Sequence, residues 1–317
     1  MWRLSAHAMQ ILVVGAGALG GTIAGRAIAA GLPVSVAVRT VESARALRQK
    51  GLHVTGVGGE AFAVAPDTGV LDDFATRRFD LIVLATKAHQ AFEVAPRLAR
   101  MAPALLCIQN GGVSKLLRDR LGDVVVGALS NLGATLHATG EYEQRNDGYL
   151  LIDARAKAAA DALGPAVKTR TTENMDGSIW SKLLLNCSVT TLGAIAGCTM
   201  RAYVRAPAGR AIFRRTYEET LRVALGTGAR PEPMMVDPVP GPDYDAWMDR
   251  ILAAYGDLKP SMLQDFERGR RTEIDFINGY VAGIGWAPLN AAITAMVHRI
   301  ERRELQPGLP RLEELLA

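Results

Sequence analysis

Cysteine is scarce: Cys107, Cys187 and Cys198 are the only three in 317 residues, each alone among hydrophobic neighbours, with no CxxC spacing and no histidine cluster nearby. That pattern excludes a disulfide-stapled scaffold and a thiolate metal site, and leaves small buried hydrophobes in a reducing, cytoplasmic setting. The five histidines, His7, His53, His89, His137 and His298, form no HxH or HExxH spacing, so no metal is expected. Long apolar runs are also missing. Gly, Asn, Ser or Thr interrupts each one before the roughly 18 residues of a membrane span, and no membrane segment is expected. Met1–Gln10 lacks the apolar core of a secretory signal, because Ile11–Val14 runs straight into glycines; Met1–Ala8 reads as a disordered extension with Met9 the natural start. Neither sign of charge dominates, since 36 Lys and Arg are scattered among 32 Asp and Glu for a net +4. Nucleic acid is therefore not expected as a partner, and an anionic small molecule accounts for the slight excess.

What is present fits two ordinary domains, with 49% hydrophobic and 21% charged residues. In the first half strands and helices alternate. Ile11–Val14, Val34–Val38, Leu81–Ala85, Leu105–Ile108 and Val124–Ala128 are short, continuously apolar runs, as expected of strands buried on both faces of a parallel sheet. Helical patterns lie between them, at about Leu19–Ala30 and Val41–Lys50, and Leu52–Val64, glycine-rich in its middle, reads as an inserted hairpin. From about Glu173 the period is helical, and the proline-rich stretch Pro231–Pro242 reads as a loop between helices. The expected fold class is α/β: a Rossmann-type doubly wound sheet over residues 9–172, then an all-helical domain over 173–317. Ligands of such proteins favour the cleft between domains, beyond the carboxyl ends of the strands. An amphipathic helix looks alike in a core and in a dimer seam, but helical second domains often pair, and a homodimer is the expectation.

Gly15-Ala16-Gly17-Ala18-Leu19-Gly20 matches GxGxxG. Its position after a strand and at the opening of a helix makes it a dinucleotide-binding motif: Gly15 for the turn, Gly17 for approach of the pyrophosphate, Gly20 for helix–strand packing. About twenty residues on, where an acid would hold the ribose 2′-hydroxyl of NAD, stands Arg39, whose guanidinium suits a 2′-phosphate; NADP(H) is the expected cofactor. Lys87 and Asn110 follow strands at the rim where ligands bind, a position equally open to ordinary loop residues. Lys182 is the only charge in the run Ile179–Cys198. A lysine is almost never buried without a partner or a purpose. At helical period Ser178, Lys182, Asn186 and Thr190 form one polar stripe on an apolar helix.

Together these motifs resemble one family, the ketopantoate (2-dehydropantoate 2-) reductases. The similarity runs from the glycine turn through Arg39, Thr86-Lys87-Ala88, Gln109-Asn110-Gly111, Trp180-Ser181-Lys182-Leu183 and Asn186-Cys187 to Ser261-Met262-Leu263-Gln264-Asp265 and Arg271-Thr272-Glu273-Ile274-Asp275-Phe276-Ile277-Asn278-Gly279. It spans nearly the whole chain from Met9. The resemblance implies hydride transfer from NADPH to the keto carbon of a branched 2-oxo acid, ketopantoate, a step of pantothenate biosynthesis. It further implies Lys182 as general acid and Glu273 as a catalytic partner that helps position cofactor and substrate. Asn186, Thr190 and Ser261 are implied on the substrate side, Asn110 beside both substrate and cofactor, and Lys87 and the backbone at Gly133 near the cofactor. On the residues alone, Glu273 reads as a solvated charge in Arg268–Asp275, and Ser261, after Lys259-Pro260, as a helix cap. Desolvation would lower the lysine pKa and Glu273 would raise it, with the net direction open.

Three positions depart from the family pattern. Thr190, Met200 and Leu258 stand where a polar asparagine is common. An apolar Met or Leu cannot hydrogen-bond a hydroxylated acid, so a paralogue acting on a different 2-oxo acid is an alternative. A non-catalytic NADP(H) sensor is a second, and retention of Lys182, Asn186 and Glu273 argues against it.

Overall fold

The computed structural model describes residues 9–317; the extension read at Met1–Ala8 lies outside them. Four buried residues make β1 (Ile11–Val14), followed by α1 (Ala18–Ala29), β2 (Val34–Val38) and α2 (Val41–Lys50). Thr40 starts α2, its hydroxyl accepting from the Ser43 amide at 3.2 Å. The expected hairpin forms as β3 (Leu52–Thr55) and β4 (Ala61–Val64). After it come β5 (Asp67–Val70), β6 (Leu81–Leu84), α3 (Ala88–Leu98), β7 (Leu105–Cys107), α4 (Val113–Leu121) and β8 (Val125–Ser130). The run closes with β9 (Ala134–Ala138), β10 (Glu141–Gln144), β11 (Leu150–Asp153), α5 (Lys157–Leu163) and β12 (Thr169–Thr172).

Eight strands form the main sheet in the order β12-β11-β8-β7-β6-β1-β2-β5. It is not parallel throughout: β11 runs antiparallel to β8, and β12 follows β11. The sequence does not betray β12 or β5, because Thr169-Arg170-Thr171-Thr172 and Asp67-Thr68-Gly69-Val70 have too little apolar character to read as strands. The chain winds one way from β1 to β2 and β5 and the other way through β6, β7 and β8, so the topological switch point lies at β1. A second sheet, β4-β3-β10-β9, pairs the hairpin with strands far along the chain and packs on α1. Gly21 makes this approach possible, since a Cβ there would lie 2.0 Å from the Tyr142 ring.

The chain divides into two compact units: the described residues through Gln109 with Val113–Met175, and Asn110–Gly112 with Asp176–Ala317. The second unit is helical, comprising α6 (Met175–Leu185), α7 (Thr191–Ala196), α8 (Met200–Tyr203), α9 (Pro207–Gly226), α10 (Tyr244–Tyr255), α11 (Ser261–Glu267), α12 (Asn278–Ile284), α13 (Pro288–Glu301) and α14 (Pro310–Glu314). A five-residue π turn, Asn186–Thr190, joins α6 to α7. By length and composition the resulting Met175–Ala196 helix could cross a membrane, although Gly177, Ser181, Lys182, Asn186 and Thr190 interrupt its apolar run. Its most apolar stretch is 78% buried inside the protein, as in a core helix.

The core of this unit includes Phe213, Tyr217 and Trp247, with the Tyr217 and Trp247 rings 4.7 Å apart, edge to face. The proline-rich stretch is a loop, as expected, and it is pinned. Tyr217 Oη donates to the Pro238 carbonyl at 2.7 Å, and Trp247 Nε1 to that of Asp237 at 2.8 Å. Asn278 is structural: its Nδ2 donates to Asn290 Oδ1 at 2.9 Å, and Asn290 donates in turn to Glu219.

Candidate active site

In the first unit the Gly15–Gly20 turn leaves β1 at the switch point and opens α1. Gly15 has φ +102°, and a Cβ there would lie 2.9 Å from the Ala85–Thr86 backbone. A Cβ at Gly20 would lie 2.0 Å from the Gly15 carbonyl oxygen, which is the close helix–strand packing the motif exists to permit. Gly17 differs: its Cβ would meet nothing within 4 Å. That open side, with no side chain capping the amides of α1's first turn, leaves room for a pyrophosphate at a helix N-terminus. Ala16, Ala18 and Leu19 complete the turn, and Tyr142 Oη buttresses it by donating to the Ala16 carbonyl at 3.1 Å. The sequence had offered no reason to single out Tyr142, which reaches α1 from the second sheet.

Arg39 is exposed at the carboxyl end of β2, and among the described residues no carboxylate pairs with it. Lys87 is the N-cap residue of α3, just past β6. Between β6 and β7, Gln109 Nε2 donates to the Leu84 and Thr86 carbonyls at 2.8 and 3.2 Å, tying the strand ends together. Gln109 Oε1 and Thr86 Oγ1 are buried without a hydrogen-bond partner, two orphaned acceptors at the ligand rim of the sheet. Gly133 is otherwise engaged: its amide donates to Asn146 Oδ1 at 2.7 Å and its carbonyl accepts from Arg145 at 2.8 Å. Taken together, these features of the first unit fit a dinucleotide.

In the second unit Lys182 lies half-buried on α6. Desolvation lowers its pKa to about 8, against an opposing upward pull from the charge of Glu273, so burial wins the competition that sequence left open. The rest of the polar stripe divides into spent and unspent groups. Ser178 donates to Glu232 Oε2 at 3.2 Å, and Thr190 Oγ1 donates to the Asn186 carbonyl at 2.9 Å. Asn186 Nδ2 is buried with no partner. The regular stripe expected from the sequence is interrupted, because the π turn begins at Asn186 and its wider winding takes Thr190 out of the four-residue register.

Ser261 is exposed and is the first residue inside α11, whose N-cap position is held by Pro260, so the helix-cap reading is incorrect. Asn110 belongs with Gly111 and Gly112 to the second unit, where the Gly112 amide donates to the Phe276 carbonyl at 2.9 Å. A Cβ at Gly111 would lie 1.9 Å from that same oxygen, so the segment carrying Asn110 is seated on the turn beyond Glu273. Glu273 stands at the start of the 3-10 turn Ile274–Phe276. Met200 is fully buried core, whereas Leu258 is 52% exposed. Of the two apolar departures, only Leu258 is open to a ligand.

A doubly wound sheet that opens its first helix on such a turn is built to hold a dinucleotide. The class is that of dinucleotide-binding oxidoreductases with a helical second unit. Within it, the chain belongs to the ketopantoate reductase PanE/ApbA family, whose profile matches residues 11–157 and whose C-terminal profile matches 174–301. The resemblance read from the motifs is thereby established. Among relatives, the 2-dehydropantoate 2-reductase of Pyrococcus abyssi is 26% identical over 311 residues, covering 93% of this chain and 99% of that protein. The corresponding Pyrococcus horikoshii protein is 28% identical over 305 residues, covering 91% and 96%. A PanE/ApbA family ketopantoate reductase structure from Ralstonia eutropha matches with TM-score 0.81 and 26% identity over 93% of this chain and 99% of that one. D-mandelate dehydrogenase, in a structure with NADH and anilino(oxo)acetate, matches with TM-score 0.79 at 21% identity over the same shares, a likeness of fold.

Proposed function

We propose that this chain reduces a 2-oxo acid to the 2-hydroxy acid with NADPH, with ketopantoate as the leading substrate. The observation that carries this reading is Lys182, a lysine whose burial brings its pKa to about 8 in a chain of a reductase family. The Gly15–Gly20 turn and the first turn of α1 would hold the pyrophosphate, and Arg39 the 2′-phosphate. Bound there, the nicotinamide supplies the hydride. Addition of a hydride to the keto carbon moves the carbonyl electron pair onto oxygen. Lys182, as the ammonium, donates a proton to that oxygen and is reprotonated from solvent, so the products are the hydroxy acid and the oxidised cofactor. Glu273 keeps the lysine from losing its proton too readily, and Asn186 Nδ2, unpaired and buried, is suited to a substrate oxygen.

A second substrate reading is favoured by Leu258 and Thr190. The first is apolar and exposed, and the second has its hydroxyl committed to Asn186, so neither meets the hydroxyl of ketopantoate as asparagine would. A simpler or aryl 2-oxo acid is then the better fit. Steady-state NADPH oxidation with ketopantoate beside pyruvate, 2-oxoisovalerate and phenylglyoxylate separates the two. A ketopantoate kcat/KM well above the rest supports the first, preference for another acid supports the second, and no turnover of any removes both. Arg39→Ala tests the cofactor. The expected result is a loss of NADPH affinity of about 10- to 100-fold with NADH unaffected, the range of a lost charged hydrogen bond. Equal effects on both cofactors would count against a 2′-phosphate contact.

A further inference from the structure

His298, on α13, lies between two carboxylates: its Nδ1 is 2.8 Å from Glu301 Oε2 and its Nε2 is 2.8 Å from Asp275 Oδ1. A neutral imidazole carries one N–H and one lone pair, so only the imidazolium donates on both sides. Desolvation pulls its pKa down, but the hydrogen bonds to Glu301 and Asp275 and their charges outweigh burial and raise it. Both acceptors are tied to the same turn. Glu301 Oε1 accepts from the amide of buried Thr272 at 2.7 Å, and Thr272 Oγ1 accepts from the Ile274 amide at 3.3 Å. Asp275 also pairs with Arg271 at 3.1 Å. Glu273 is therefore flanked on both sides by residues anchored to the end of α13.

We propose that His298, as the imidazolium, is a positioning residue that clamps the Thr272–Asp275 turn to α13 and so holds Glu273 where its charge acts on Lys182. This role deepens the reading of Lys182 and Glu273 given above and rests on it. The ionisable groups facing His298 are Asp275 from the turn and Glu301 from its own helix; Arg271 acts on the first and Arg302 on the second from outside. The sign follows from the raised pKa. The clamp is complete at low pH and is lost as pH rises through the His298 pKa, whereupon one carboxylate faces a lone pair, the turn loosens and Lys182 loses its upward pull.

The test is kcat and KM of wild type, His298→Gln and the milder Glu301→Gln across the neutral to alkaline range, with the Lys182 ammonium titration and Thr272 amide exchange followed by NMR. Expected for His298→Gln are a kcat loss of about 10- to 100-fold, as for a displaced catalytic group, with KM little changed. The alkaline limb should also move to lower pH, with faster Thr272 exchange. Glu301→Gln should lower the His298 titration midpoint. A His298→Gln profile superimposable on the wild type, or an unchanged Lys182 midpoint, would overturn the clamp. Absence of wild-type turnover on every 2-oxo acid would instead sink the proposed function, and the Lys182 midpoint would still decide whether the clamp exists.

Discussion

Lys182 is held against the preference of its ammonium for water, and that tension has two measurable faces. Its folded pKa of about 8 lies below the ordinary 10.5, so the unfolded chain holds the proton more tightly. Stability therefore rises as pH climbs from 8 toward 10.5, and the cost is present in full at neutral pH. Lys182→Met should make the protein more stable at neutral pH by about 1–3 kcal/mol, with little difference above the ordinary lysine pKa, as read by urea unfolding at both pH values. The same variant should lose about 10²- to 10⁴-fold in turnover, the usual contribution of a general acid. In the wild type, reduction should fall as pH rises through about 8, because the acid must be protonated. A variant destabilised at neutral pH would show that the lysine is a structural ion-pair partner. Sequence alone marked Lys182 as the one charge in an apolar run, but the direction of its shift was closed to it. That direction is a balance between local burial and the charge of Glu273, and only the folded chain brings the two together.

At the scale of elements, the strand, turn and helix at Ile11–Ala29 were legible almost to the residue, because four consecutive apolar residues, a glycine cluster and an alanine-rich run are local signals. The glycines of that turn look interchangeable in the motif and are not in the fold. Gly20→Ala would place a methyl 2.0 Å from the Gly15 carbonyl and should cost about 1–3 kcal/mol of stability as an overpacking change, seen as a lowered unfolding midpoint. Gly17→Ala meets open space with φ −69° and should leave that midpoint unchanged. Its methyl instead stands where the pyrophosphate would approach, and cofactor affinity should fall by about tenfold or more, roughly 1.4 kcal/mol, by fluorescence titration. Equal destabilisation by both would argue that the turn is merely a packing device. Less legible were β10 and the π turn. Glu141-Tyr142-Glu143-Gln144 is charged and short, and it becomes a strand because β3 and β9 flank it. Nothing in the spacing of Ser178, Lys182, Asn186 and Thr190 announces a widened turn, and Asn186 acquires its unpaired Nδ2 at the residue where that turn begins.

For the whole molecule, a cofactor that binds only the folded state adds to stability by mass action. NADPH at about 100 times its Kd should add about 2.7 kcal/mol, whereas NADH at the same concentration should add less if Arg39 holds a 2′-phosphate. Differential scanning calorimetry with each cofactor checks this, and identical shifts would remove the preference. What the sequence by itself determined is the class of fold, the glycine turn, Arg39 at the end of β2 and the isolated Lys182. Each is written in the periodicity or chemistry of a few adjacent residues, and such signals survive without knowledge of what lies across the molecule. Only the tertiary structure decided the rest. The second sheet joins β3 and β4 to strands far along the chain; Tyr142 braces a turn it is nowhere near in sequence; Asn110 joins the helical unit; Met200 is core while Leu258 is exposed; and His298 meets Asp275 and Glu301 around the turn that carries Glu273. The physical reason is common to all of them: hydrogen bonds, desolvation and Coulomb interactions depend on distance in space, which the chain's order leaves undetermined until the core closes.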